Sequence, residues 1–452
     1  MPRFLIAAAH KSSGKTVVST GLAAALSSEN RKVQTFKKGP DYIDPMWLKA
    51  ASGQACYNLD FNIMSPNELR NFYSSHEHLG DISLIETNKG LFDGVSLDGS
   101  DSNAALAKLL KTPVVLVVDT VGMTRGIAPL LQGYLAFDRD VNIAGVILNK
   151  VGGPRHESKL RAAIETYTDI PVLGAVARNS ALEIGERHLG LTTPAETGEI
   201  SAMIDTFGDI MRQSVDLAEV ITLADTAPDL PAAPKLPPVS AKKPVRIGIA
   251  QDTAFGFYYA DDLDAFGESG AELVPINTLS DKTLPQIDGL FIGGGFPETQ
   301  MHALSQNTQL RHDINRKIQN GLPTYAECGG LMYLCETLAW KGEIHDMVGV
   351  IPGEAVMHDR PQGRGYANFN QTKDHPWSGG SEKIKAHEFH YAGIENLPDD
   401  TIYGRAISRG SGIDGQRDAV VIHNLVAGFC HLRSNPTNHW VRDFVEFVRQ
   451  HS

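Results

Sequence analysis

Two stretches of this chain hold residue types that could make and break bonds. In Pro323-Thr324-Tyr325-Ala326-Glu327-Cys328-Gly329-Gly330-Leu331-Met332 a cysteine stands between a short apolar run and a glycine pair. Thr324 to Ala326 reads as the end of a buried strand, Gly329-Gly330 as a sharp turn, and Leu331 onward as a helix. A cysteine on such an elbow is held at the top of a sheet, and the helix N-terminus behind it favours thiolate. The α/β-hydrolase serine uses the same geometry. The plain alternative is a structural thiol, the usual fate of a free cysteine; such a residue has no need of glycine at both following positions. The second stretch is Ala9-His10-Lys11-Ser12-Ser13-Gly14-Lys15-Thr16. It follows the apolar run Phe4 to Ala8 and precedes Val17, Val18, Leu22, Ala25 and Leu26 at helical spacing. Strand, loop, helix is the context a phosphate-binding loop requires, although Gly-Lys-Thr alone is common by chance. Backbone N–H groups about Ser13 and Gly14 would face the phosphates of a nucleotide. Lys15 would reach the terminal phosphates, and the Thr16 hydroxyl would ligate magnesium.

The surrounding elements must position partners for each. Short apolar runs at Val33 to Phe36, Ile82 to Ile85, Val114 to Val118, Ile143 to Leu148 and Pro171 to Val176 alternate with helical stretches. That alternation predicts a doubly wound parallel sheet, whose ligands collect at the carboxyl ends of the strands. There the sequence places Lys37-Lys38-Gly39-Pro40-Asp41-Tyr42-Ile43-Asp44-Pro45, read as a loop with a phosphate, metal or substrate role. Glu86 ends another strand, where a further magnesium contact is expected. The run Lys89-Gly90-Leu91-Phe92-Asp93-Gly94 turns back from it, and Asn149-Lys150 ends a strand at a usual place for base recognition.

Residues 225 to 244 carry six prolines and little apolar periodicity, the composition of a semi-rigid linker. The expected domains are therefore 1–224 and 245–452. In the second, Val245 to Ala250 and Gly289 to Ile292 read as strands, the latter ending in Gly293-Gly294-Gly295-Phe296-Pro297-Glu298. A glycine-rich turn there can present N–H groups to an oxyanion, and Gly294, Gly295 and Gly329 are the expected donors. A cysteine nucleophile also needs a base. His387, His390 and His431 are candidates, and spacing alone does not choose among them.

Composition narrows the classes. The 452 residues, 42% hydrophobic and 21% charged, suit a globular protein of two or three domains. Lys and Arg number 41 against 53 Asp and Glu, a net charge of -12, which argues against a general nucleic-acid or anionic-membrane binder. No run of about 18 apolar residues could span a membrane, and no leader-like apolar segment opens the chain. Four scattered cysteines suggest neither a disulfide framework nor a zinc motif, so a reduced, cytoplasmic setting is expected.

Taken together, the motifs resemble those of the cobyrinic acid a,c-diamide synthase family of glutamine-dependent amidotransferases. The carrying residues are the loop ending Gly14-Lys15-Thr16, the run Gly39 to Pro45, Gly90-Leu91-Phe92-Asp93-Gly94 and Glu186-Arg187-His188-Leu189-Gly190-Leu191. Further along come Asp252 to Tyr259, Gly293 to Glu298, Glu327-Cys328-Gly329-Gly330 and His387-Glu388-Phe389-His390-Tyr391. They run in family order along essentially the whole chain. The resemblance implies an α/β protein: a dethiobiotin-synthetase-like ATP domain joined to a flavodoxin-like class I glutamine amidotransferase domain. It implies that Cys328 attacks glutamine with His431 as base, and that Mg-ATP phosphorylates a tetrapyrrole carboxylate which ammonia converts to an amide. Thr16, Asp41 and Glu86 would then hold Mg2+. Ser13, Gly14, Lys15, Thr16 and Asn149 would hold ATP, while Lys38, Asp41, Tyr42, Asp44, Lys89 and Asp93 would meet the substrate. Lys37, Lys38 and Lys89 would offer positive charge to a polycarboxylate in an otherwise acidic protein.

The departures from the family pattern are specific. Ala9 replaces a common glycine, Lys89 a common apolar residue, and the ending is shortened to His431-Leu432-Arg433-Ser434-Asn435-Pro436. Most class I amidotransferases place a glutamate two residues beyond the histidine; here that position is Arg433, and the resembling family generally lacks the acid. The loop and the Lys37-Lys38 pair also look similar to a sirohaem-amidating branch. Sirohaem or sirohydrochlorin therefore competes with cobyrinate as substrate. A cobyric acid synthase-type amidase and a partner-switching ATPase are the remaining alternatives. A homodimer is compatible with the sequence but not read from it.

Overall fold

A computed structural model of the chain describes residues 1–187, 190–194, 200–234, 243–377 and 383–452. The chain divides into two compact units, Met1–Lys235 and Leu236–Ser452, the division falling inside the proline-rich stretch. Residues 235–242 of that stretch, and His188 and Leu189 of the Glu186 to Leu191 motif, lie outside the described residues. The first part of the stretch packs on the first unit: the Arg3 guanidinium donates to the Pro228 carbonyl, and the Met1 amine pairs with Asp229 at 3.3 Å.

Among the described residues the first unit forms a seven-stranded sheet. Its strands are β1 (Arg3–Ala8), β2 (Val33–Lys38), β3 (Cys56–Leu59), β4 (Ile82–Glu86), β5 (Val114–Asp119), β6 (Ile143–Val151) and β7 (Val172–Ala177), in the order β3-β2-β4-β1-β5-β6-β7. Every pairing is parallel, and β1, β2 and β4 are buried along their whole length. Helices cover such a sheet on both faces, which is why its strands read as continuous apolar runs. The winding reverses beside β1, so the crevice for ligands opens at its carboxyl end. Register aligns Glu86 with both Ile6 and Lys37. Lys37 and Lys38 are thus the last residues of β2, and the expected loop begins only at Gly39. The edge strand β3 mixes polar and apolar residues and carries no such signature.

The second unit pairs Ala271–Ile276, Val245–Ala250, Gly289–Ile292, Thr324–Glu327 and Leu425–Gly428 side by side in parallel. Arg417–Ile422, Tyr403–Arg409, Gly363–Gln371 and Ile384–His390 extend the sheet antiparallel. A separate small sheet holds Cys335–Trp340 beside Ile351–Met357. The helix expected after Cys328 is short, Gly329–Leu334, because Cys335 turns to extended backbone and enters that small sheet. Helix Trp440–Gln450 buries Trp440, Val441, Phe444, Val445 and Val448 on one stripe. Trp440 lies against Tyr325 with ring centroids 5.0 Å apart, so the strand carrying Tyr325 and Glu327 is backed by a packed aromatic layer. Among the described residues no helix is long and apolar enough to cross a membrane.

Candidate functional site

In the first unit the loop after β1 turns through Ser12 and Gly14, with φ of 65° and 86°, before Lys15 starts helix Lys15–Ser28. Glycine suits position 14 because the backbone is left-handed, and a Cβ there would also displace the Asn149 amide that braces the loop. Ala9 is not among the positive-φ residues, so alanine fits there without strain. Asn149 Nδ2 donates to the Ser13 carbonyl at 2.9 Å, and its Oδ1 accepts from Lys150 N. This side chain, expected at the base, braces the loop. Lys15 Nζ rests on the Lys89 carbonyl at 2.6 Å.

The carboxyl ends of β1, β2 and β4 gather four charged side chains. Lys37 Nζ bonds to Glu86 Oε1 at 3.0 Å, to Asp44 Oδ2, and lies 3.9 Å from Asp41 Oδ2. Lys37 is 2% exposed, so the expectation that it faces an incoming polyanion is corrected: its charge is consumed by three carboxylates of its own unit. Burial opposes that charge, but Asp44, Glu86 and Asp41 more than offset it and hold Lys37 above the ordinary lysine value. Burial also pushes Glu86 up to about 7 and Asp41 up to about 6, with Asp44 adding to both. Burial works against Asp44 too, yet Lys37 keeps it below the usual carboxylate range. Lys15 is brought down to about 8 by burial and by Lys37. Asp41 Oδ1 accepts from Ile43 N and Asp44 N and so starts helix Ile43–Ser52 just after Tyr42.

Thr16 Oγ1 donates to Glu86 Oε1 at 3.0 Å, while Glu86 Oε2 is buried with no hydrogen-bond partner. A hydroxyl beside an unpartnered buried carboxylate oxygen is the hard donor pair a magnesium ion takes when phosphates complete its shell. Among the described residues no three His, Cys, Asp or Glu side chains form a cage of their own. Of the remaining expected substrate residues, Lys38 is buried with Nζ on the Asp101 carbonyl at 2.6 Å. Asp93 accepts from Gly90 N at 2.9 Å and shapes its own turn. Lys89 and Asp93 are exposed.

In the second unit Cys328 stands between strand Thr324–Glu327 and helix Gly329–Leu334, with φ 48° and ψ −102°. A Cβ on Gly330 would run into the Ile292 carbonyl, so the elbow closes only over glycine. The Cys328 N–H is anchored on the Gly428 carbonyl at 2.8 Å, and the residue is 6% exposed. His431 has Cys328 as a hydrogen-bond partner. A Cβ on Gly294 would lie 2.6 Å from His431 Cε1, and one on Gly329 would lie 3.0 Å from Gly295 N. The three expected oxyanion glycines therefore border the same space. Gly293 N–H is committed to the Tyr258 hydroxyl at 3.0 Å.

His387 stacks on His431 at 4.9 Å between centroids, and the two exchange backbone hydrogen bonds. Burial, His431 and Arg433 together hold His387 well below the ordinary imidazole value. His390 lies apart, stacked on Phe429 at 3.7 Å with Nδ1 2.7 Å from the Ala392 carbonyl. Burial alone would lower His431, but the hydrogen bonds and charges of Cys328 and Glu327 push it up to about 10. Glu327 is the residue the sequence reading missed. Its Oε2 lies 3.3 Å from His431 Nδ1, and its Oε1 accepts from Tyr325 OH at 2.7 Å and Leu432 N at 2.8 Å. Arg433, at the position where an acid is usual, is instead bonded to Asp261 at 2.7 Å.

Comparison with known proteins agrees with both units. Residues 4–191 match the CobQ/CobB/MinD/ParA nucleotide binding domain, and residues 246–438 the CobB/CobQ-like glutamine amidotransferase domain. Cobyrinate a,c-diamide synthase of Magnetococcus marinus is 44% identical over 100% of this chain and 98% of its own length. The same-named protein of Methanosarcina barkeri is 38% identical over 99% and 96%, and that of Archaeoglobus fulgidus 37% over 99% and 97%. With a nucleotide-binding unit and an amidotransferase unit matched in order along one chain, this protein is an amidotransferase ligase and belongs to the cobyrinate a,c-diamide synthase family.

Proposed function

We propose that this protein amidates the a and c acetate carboxylates of a tetrapyrrole, with ATP and glutamine as co-substrates. The observation that carries the reading is the end-to-end identity with cobyrinate a,c-diamide synthases. Cys328 attacks the side-chain amide carbon of glutamine; His431 delivers a proton to the departing nitrogen, ammonia leaves, and water hydrolyses the thioester to glutamate. In the first unit a substrate carboxylate oxygen attacks the terminal phosphorus of ATP, ADP leaves, and an acyl phosphate forms. Ammonia then displaces phosphate to leave the amide. A carboxylate is a poor acyl donor, and phosphorylation gives it a leaving group. Lys15 and the loop N–H groups position the phosphates and offset their charge. Magnesium held at Thr16 and Glu86 would add to that neutralisation.

Of the residues expected at the substrate, Lys89 and Asp93 are exposed at the mouth of the phosphate loop. Lys89 also lends its carbonyl to Lys15, which ties macrocycle binding to the position of the phosphate lysine. The test is a side-by-side assay with ATP, magnesium and glutamine on cobyrinic acid, sirohydrochlorin and sirohaem, read by mass. Each amide that replaces a carboxylic acid lowers the mass by about one dalton and removes one charge at neutral pH. Two amides on cobyrinic acid are expected. Conversion of sirohaem or sirohydrochlorin instead would move the protein to the other branch. More than two amides would indicate the cobyric acid synthase type, and glutaminase turnover with no macrocycle amidated would sink the tetrapyrrole reading.

A further inference from the structure

We propose that Glu327, the residue immediately before the nucleophile, is the positioning acid of the glutaminase site and fills the role of the acid absent two residues beyond His431. The inference rests on the reading of Cys328 and His431 as nucleophile and base. Glu327 is 2% exposed, with Oε2 on the Nδ1 side of His431 at 3.3 Å. A carboxylate there fixes the tautomer and ring orientation of a catalytic imidazole and favours its protonated form. The acid is itself held. Tyr325 lies two residues back on the same strand and so shares its face, and its hydroxyl donates to Glu327 Oε1 at 2.7 Å. Leu432 N donates to the same oxygen at 2.8 Å. Tyr325 OH in turn accepts from Arg405 Nη2 at 3.0 Å, and Arg405, wholly buried, also reaches Asp418 at 3.4 Å. A buried chain Asp418–Arg405–Tyr325–Glu327–His431 thus ends at Cys328.

The other charged and titratable groups around His431 do not supply this role. His387, stacked on it from the neighbouring strand, is a base held neutral by burial. Tyr259 OH sits 3.3 Å from His387 Nδ1. Arg433 is a cation, bonded to Asp261 at 2.7 Å, and Asp262 accepts from Ser434 N at 2.7 Å. Of the groups named, Glu327 is the one whose carboxylate oxygen lies beside a ring nitrogen of His431.

The test uses the full chain, with glutamate release from glutamine measured across pH for Glu327→Gln, Tyr325→Phe and Cys328→Ala. Glu327→Gln should lower kcat about 10-fold to 100-fold, leave KM for glutamine within about twofold, and move the alkaline limb of kcat/KM down by about one pH unit, because the imidazolium loses its stabilising charge. Glu327→Asp should recover part of kcat. A packing role alone would lower the unfolding temperature without moving that limb. Tyr325→Phe keeps the charge but removes one of the two donors to Oε1, leaving Leu432 N, so kcat should fall about threefold with the limb in place; this variant decides the question if Glu327→Gln does not fold. Wild-type kcat and pH profile in Glu327→Gln, with Cys328→Ala inactive, would overturn the role of Glu327 alone. Glutaminase surviving in Cys328→Ala would overturn the underlying assignment as well.

Discussion

The two units bring charge into a dry interior in different ways. Around β2 and β4 one ammonium, Lys37, faces three carboxylates, and two of them remain pushed up, Glu86 to about 7 and Asp41 to about 6. Lys15 nearby is brought down to about 8. Around Cys328 the charges close on themselves: thiol, imidazole and carboxyl stand in line, and His431 is pushed up to about 10. On the proposed function, the first cluster would be completed by a cation and phosphates, and the second would be ready before its substrate arrives. Buried charge without full pairing is costly, and the nucleotide-binding unit carries that cost at the carboxyl ends of its central strands, where its ligands are proposed to bind.

The largest effect should come from the first cluster. Lys15→Ala should reduce amidation about 1,000-fold or more whether glutamine or ammonium salt supplies nitrogen, since phosphoryl transfer depends on positioning and charge neutralisation. Unchanged ATP turnover would remove the loop from the phosphate site. Cys328→Ala should abolish glutamine-dependent amidation yet leave the ammonium-dependent reaction, as two separately built sites require; loss of both would mean that the sites are not independent. Next comes the histidine comparison. His431→Ala should lose glutaminase about 100-fold or more, with smaller losses for the stacked His387→Ala and for His390→Ala. An inactive His390 variant beside an active His431 variant would reverse the assignment.

Smaller effects test the electrostatics. Lys37→Met leaves three carboxylates without their shared cation and should destabilise the first unit by about 3–5 kcal/mol, read as a lower urea midpoint; an unchanged midpoint would mean the pairing contributes nothing. The pH response of the second site has a defined sign. The folded pKa of His431 lies above its ordinary value of 6.5, so the stability this charge contributes is fully present below pH 6.5 and is lost as pH rises through about 10. Between pH 6.5 and pH 10.5 the wild-type unfolding temperature should therefore drop more than that of His431→Gln. Equal drops would place the alkaline transition elsewhere.

The parallel strands were legible because both their faces are covered. Phe4 to Ala8 and Val114 to Val118 are unbroken apolar runs, and the turns after them carry the chemistry. Strand Gly363–Gln371, in the antiparallel extension, reads Gly-Arg-Gly-Tyr-Ala-Asn-Phe-Asn-Gln and gives no such signal. Lys37 was misread for a non-local reason. Beside Gly39-Pro40-Asp41 it looks like a loop residue, and only pairing with Glu86, from another strand, buries it. The Arg433 position was read correctly as lacking an acid. What stayed hidden is that Glu327, from strand Thr324–Glu327, brings a carboxylate oxygen to 3.3 Å from His431 Nδ1, an arrangement set by the backbone at Cys328 rather than by any spacing.

That backbone has a consequence for how the site tolerates change. Consecutive residues of an extended strand project to opposite faces, so Glu327 and Cys328 would ordinarily be unable to meet one side chain. The turn at Cys328, with φ 48° and ψ −102°, undoes the alternation and brings both neighbours to His431. The proposed acid and nucleophile are then joined by a single peptide bond, and no insertion or deletion can slip between them. Loops elsewhere in the unit can lengthen or shorten while the Cα atoms of these two residues stay about 3.8 Å apart.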